Sequence, residues 1–189
     1  MIPWDVWQAA LAAWARTWGC GEVVWAKQET NAPQPRRPFI KLEIMTTTKV
    51  GEDGLASSFD PDAANGEQFK QAQYGTRRLR LNVQVFANAT GRLSESAMAR
   101  AQALADSLDN PEALATLVEA GLGVSNVGDV ADLSQIEQSQ FAGRASFDVI
   151  MEGAAVKQGA VSGQWIQRVI GEGDVEGNSA PEVTFDVTG

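Results

Sequence analysis

The chain has no histidine among its 189 residues, and that removes several chemistries at once. A Ser-His-Asp or Cys-His nucleophile, a His-ligated zinc and an imidazole base are all excluded. The single cysteine, Cys20, rules out an intrachain disulfide framework and a zinc ribbon, and it fits a reducing cytoplasm. Neither G-x-x-x-x-G-K-S/T nor a strand-bound G-x-G-x-x-G occurs, so nucleotide binding through those loops has no support. No apolar run approaches the roughly 20 residues that span a bilayer, and no membrane contact is expected. The opening MIPWDVWQAALAAW carries Asp5 and no leading Lys or Arg, unlike a signal peptide. What remains is carboxylate chemistry. Glu43, Asp148 and Glu152 around a magnesium ion, with Lys157 nearby, would make a nuclease-like set. Carboxylates and lysines near strand ends are common by chance, so the expectation is no catalytic residue, no metal and no cofactor.

Positive charge is also scarce. The net charge is -9, and residues 171–189 contribute five acids and no Lys or Arg, which leaves -4 for the first 170 residues. Affinity for a phosphate backbone comes mostly from Lys and Arg, so this chain is poorly suited to gripping DNA, although it can surround it. Hydrophobic residues at 44% and charged residues at 21% are ordinary for a globular protein, and the length suits one domain with a loosely attached end.

Trp4, Trp7, Leu11, Trp14 and Trp18 follow the three-four spacing of one helical face, with Asp5, Ala12 and Arg16 elsewhere, which predicts a helix over 3–18 ended by Gly19-Cys20-Gly21. Rings at this spacing usually pack a core, and an end of the stripe overhanging the sheet would meet a neighbouring subunit. EVVWAK (Glu22 to Lys27) reads as a short strand and TNAPQPRRP as a loop. Phe39 to Thr46 alternates, with Ile40, Leu42 and Ile44 on one side. From Thr47 to Thr76 periodicity stops. A stretch this long without an apolar face is a functional excursion, expected as a long hairpin or arm projecting from the sheet. Asp60, Asp62 and Asn65-Gly66 fall out of register with a calcium loop, and Asn-Gly reads better as a turn.

GTRRLRLNVQVFA (Gly75 to Ala87) is the clearest strand, with Leu79, Leu81, Val83 and Val85 inward and Arg78, Arg80, Asn82 and Gln84 outward. Leu93, Ala97, Ala101, Leu104 and Leu108 mark a second helix. Asn110, Pro111 and Glu112 open a third, with Leu114, Leu117 and Val118 on its face and Gly121 at its end. Val124, Val127 and Val130 suggest a strand with a glycine bulge, and Phe141 to Met151 the last long strand, with Phe147, Val149 and Met151 on one side. Beyond Gly153 the chain is Gly-rich and then acidic. Trp165, Ile166 and Val169 form a candidate docking patch there, and VTFDV (Val183 to Val187) alternates as an added strand would. The expected fold class is α+β: a mixed, mostly antiparallel four- to five-stranded sheet flanked by three helices, with a domain over 1–152, an arm over 47–76 and an extension over 153–189.

The patterns R-L-x-L-x-V-Q-V-F (Arg78 to Phe86), V-x-D-L-S (Val130 to Ser134) and R-A-x-F-D-V (Arg144 to Val149), in this order of elements, resemble the neck or tail terminator family of contractile-tailed and related bacteriophages. The resemblance implies a structural virion protein that assembles as a hexameric ring around the DNA channel. Its partners would be the tail tube, with the sheath a further candidate, and the connector or stopper proteins on the head side. It also implies a place in the virion neck, with assembly in the host cytoplasm. On that reading Arg77, Arg78, Arg80, Trp4 and Trp18 are subunit-interface candidates, although the arginines serve equally to solubilise an exposed strand. Glu52, Asp53, Phe59, Asp60 and Phe69 are candidates for contact with the tail tube. The rivals are a connector or stopper protein of the same neck, and the carboxylate nuclease.

Overall fold

The computed structural model describes residues 2–26, 35–59, 69–88, 92–137 and 140–160. The expectations for Asp60, the Asp62 to Gly66 turn, Trp165, Ile166, Val169 and Val183 to Val187 lie outside these residues. Helix α1 (Trp4–Trp18) is followed by strands β1 (Glu22–Trp25), β2 (Phe39–Phe59) and β3 (Phe69–Asn88). Helices α2 (Ala97–Asp106) and α3 (Pro111–Glu119) come next, then β4 (Leu122–Val127), β5 (Ala131–Asp132), β6 (Gln135–Glu137) and β7 (Gln140–Ala160).

The sheet runs β1-β2-β3-β7-β4, and β5 and β6 pair with β7 beyond the end of β4. Among the described strands only β1 against β2 is parallel, so the sheet is mixed and mostly antiparallel, as the patterning predicts. The alternation in β3 sorts its faces as read: Leu79, Leu81, Val83 and Val85 are fully buried. Phe147, Val149 and Met151 of β7 join them beneath the helices. Trp7, Leu11 and Trp14 place the α1 stripe in the same core. The indole of Trp14 donates to Ser107 Oγ at 3.0 Å, and that hydroxyl donates to the carbonyl of Leu104 at 2.6 Å, which ties α1 to the turn after α2.

Helix ends follow the expected chemistry. Ser96 caps α2 by accepting from Ala99 N–H, and Asn110 caps α3 by accepting from Glu112 N–H, with Pro111 in its first turn. Several expectations need correction. Ala12, placed off the Trp stripe, is buried in the same core, so the buried face of α1 is wider than the stripe. Leu93 is 89% exposed, since α2 begins only at Ala97 and Leu93 sits in a preceding 3-10 turn. Val118 is exposed and Ala113 takes its place, because α3 packs through Ala113 and Leu117. The bulge in β4 falls between Val124 and Asn126, not at a glycine. The arm is the long hairpin expected between the two strands, with β2 and β3 running on to Phe59 and Phe69, and the difference lies in β7, which continues beside β3 to Ala160 instead of ending at Met151. Beyond the helices these strands are exposed on both faces, as Leu55, Tyr74 and Val156 show, which is why no inside-outside alternation marks them in the sequence.

Candidate functional site

Two surfaces carry the residues singled out above: the sheet face opposite the helices, and the arm. On the sheet face the outward residues of β3 meet acids of β7 across the ladder. Arg78 donates through Nε and Nη2 to Glu152 Oε1 at 2.9 and 2.6 Å. Arg80 donates through Nε to Asp148 Oδ2 at 3.0 Å and forms an ion pair with the same oxygen. Asn82 donates to Asp148 Oδ1 at 2.8 Å, and Gln84 to Asn82 Oδ1 at 2.7 Å. Burial pushes the Asp148 carboxyl up, but the hydrogen bonds from Asn82 and Arg80 and the Arg80 charge outweigh it and hold the group below its ordinary value. Farther along, Arg144 donates through Nη2 to Gln84 Oε1 at 3.0 Å and lies over the Phe86 ring at 5.5 Å, while Phe86 stacks on Phe39 at 4.4 Å.

Asp148 and Glu152, two of the three acids in the nuclease-like set, are thus already acceptors for arginine. Among the described residues no group of three or more metal-ligating side chains converges. Arg78 and Arg80 pair within their own chain, and each remains about half exposed.

The arm is a three-stranded sheet built by β2, β3 and β7. Near its base, β2 loses register with β3 between Val50 and Gly54, and Gly51 adopts φ 69°, a conformation that favours glycine. This bulge turns Asp53 over the backbone of Gly75, where a Cβ would run into the carboxylate. Arg77 grips Asp53 with both Nη atoms, at 2.7 and 2.9 Å. Gln73 adds a bond at 3.1 Å, and Lys49 approaches to 3.7 Å. The Arg77 hydrogen bonds are the main reason the Asp53 carboxyl sits below its ordinary value, and the same pairing raises Arg77. Asp53 and Arg77, placed by the sequence in two separate candidate sets, therefore form one clamp, with the Asp53 side chain only 9% exposed. Glu52 beside it is exposed. Phe59 and Phe69 are backbone partners at the far end of the described β2-β3 ladder.

The other interface candidates lie on α1. Trp4 is 38% exposed and packs edge-on against Trp7, at 5.8 Å. Trp18 is half-buried beside Trp14 in a cleft of about 310 Å³ between α1 and α3. Sequence reasoning missed the Asp53-Gly75-Arg77 clamp and the Phe39-Phe86-Arg144 stack. Both depend on strand register, which residue spacing alone does not supply.

Comparison with known families matches the chain to the model described as phage neck terminator protein over residues 6–179. A search of curated proteins returns no match.

Proposed function

The chain belongs to the phage neck terminator family and is a structural protein of the virion neck, and from that premise we propose that it closes the head-proximal end of the tail tube as a ring and joins that end to the head connector. The observation that carries this reading is the arm, a clamped three-stranded sheet that runs beyond the helices with both faces exposed. A stiff projection of this kind suits reaching onto a neighbouring protein. In this reading Glu52, Phe59, Asp60 and Phe69 meet the tube, and Asp53 acts through the clamp by fixing the arm's direction. Trp4, Trp18 and the neutralised Arg78 and Arg80 ladder lie at subunit contacts. Trp165, Ile166 and Val169 form a docking patch for the head side or the sheath. Heterologous contacts between copies close a ring when the rotation is right, and six copies is the expected number. The net charge of -9 lets genomic DNA pass through the lumen without being held. Assembly takes place in the host cytoplasm before the tail joins the head.

Co-sedimentation tests the partner. The full-length protein is expected to pellet with assembled tail tubes of its own phage, and to do so in proportion to the number of tube ends. Pelleting only with connector rings would reassign it as a stopper protein.

A further inference from the structure

All three short patterns behind the family resemblance converge on one side chain that the neck reading leaves unused. Arg144 opens R-A-x-F-D-V. Its backbone is held at both ends by V-x-D-L-S: Arg144 N–H donates to Ser134 Oγ at 3.1 Å, and its carbonyl accepts from Leu133 N–H at 2.8 Å. Asp132 steadies that turn by accepting from Ser134 N–H at 2.9 Å. Below the guanidinium lie Phe86 and Gln84, the end of R-L-x-L-x-V-Q-V-F. The side chain is held in place by aromatic stacking and one hydrogen bond to a neutral amide, and its Nε–H is buried without an acceptor. Arg77, Arg78 and Arg80 on β3 each have a carboxylate, whereas among the described residues Arg144 has none.

A half-buried guanidinium fixed in this way is a receptor for a carboxylate or a phosphate. The net charge of -9 disfavours a polyanion such as a nucleic-acid backbone, which leaves a single carboxylate as the ligand. The sequence supplies one. Residues 171–189 carry Glu172, Asp174, Glu176, Glu182 and Asp186 with no cation. Arg144 and Ala160 stand at opposite ends of β7, about 50 Å apart at the usual strand rise. An extended chain spans at most about 3.5 Å per residue, so Glu172 falls short, and Asp174 and Glu176 arrive only along a straight line. Glu182 and Asp186, at about 77 and 91 Å of chain, reach Arg144 with room to turn back. We propose that Arg144 is the receptor for a carboxylate of the chain's own acidic segment, Glu182 or Asp186, which docks the Val183 to Val187 stretch onto the end of the sheet opposite the arm.

Hydrogen exchange of the full-length protein tests this directly. Amides of 182–187 should exchange about tenfold or more slowly in the unsubstituted chain than in Arg144→Gln, the factor that one charge-assisted hydrogen bond supplies. The double substitution Glu182→Gln with Asp186→Asn should lose the same protection, and combining it with Arg144→Gln should lose no more. The double variant changes none of the residues of the described core, so it decides the matter even if Arg144→Gln fails to fold. Unprotected 182–187 amides in the unsubstituted chain would overturn the proposal, as would protection unaffected by the double substitution. Restoration of protection on mixing the two variants would place the contact between copies and overturn the intrachain arrangement. Binding of a DNA duplex at physiological salt that disappears in Arg144→Gln would assign the site to phosphate instead.

Discussion

At Asp53 a carboxylate in a polar, glycine-rich stretch is turned inward and held by Arg77, and Gly75 leaves the space for it. Replacing Gly75 by Ala puts a methyl group where the carboxylate lies, so the clamp must open. The expected result is a lower melting temperature for the arm, seen as faster hydrogen exchange over β2 and β3 near the bulge while the core is unchanged. The pairing also fixes a pH dependence. Asp53 and Asp148 both titrate below their unfolded values near 3.8, so their contribution to stability is complete above that range and is lost as pH falls through the depressed folded values. A melting profile from pH 6 to pH 2 should decline below about pH 4, and Asp53→Asn with Asp148→Asn should flatten that decline. An unchanged acid limb would remove the role given to these pairs. In the core, Ser107→Ala leaves the buried Trp14 indole N–H without its acceptor, at a cost of about 1–3 kcal/mol, or several degrees in Tm for a chain of this size. Val83 is fully buried at the centre of β3, so Val83→Asp should abolish soluble folding. A soluble Val83→Asp protein that melts cooperatively would mean that the faces of the strand are reversed.

At the scale of elements, legibility follows burial. α1, β3 and β7 could be read from the sequence because each has one buried face, and burial imposes a period on the residues: Trp7, Leu11 and Trp14 in the helix, Leu79 to Val85 and Phe147 to Met151 in the strands. The α3 start was legible for a different reason, because Asn110, Pro111 and Glu112 each suit a specific place at a helix N-terminus. The arm was legible as a long hairpin, from its length and its place between two strands. The continuation of β7 beside it to Ala160 was not, since strands exposed on both faces have no inside to encode. The clamp stayed hidden because a bulge sets its register, bringing Asp53 over Gly75 through an irregularity that no spacing rule anticipates. This division predicts how the arm responds to deletion. Replacing Leu55 to Gln73 by a two-residue turn removes residues outside the core, so the domain should melt within a few degrees of the intact chain while tube binding is lost. A collapse in Tm would show that the arm belongs to the folding unit rather than projecting from it.

For the whole molecule, the arginines with which the patterned strand begins have found their acids within the chain. In the proposed ring a neighbouring copy would meet a hydrogen-bonded, neutralised ladder on the sheet face. This arrangement fits the proposed ring through which DNA slides, because Arg77, Arg78 and Arg80 are each paired with a carboxylate and do not form a free cationic array. The arm pairs with one end of β7 and Arg144 stands near the other. The central claim is that the arm ends tail growth. The most direct measurement is electron microscopy of tail tube protein polymerising with and without the full-length chain, scoring tube length and ring-shaped caps. Capped tubes of limited length, reverting to uncapped growth with the arm-shortened chain, are the predicted result. Tubes that keep growing uncapped in the presence of the intact protein would contradict the account.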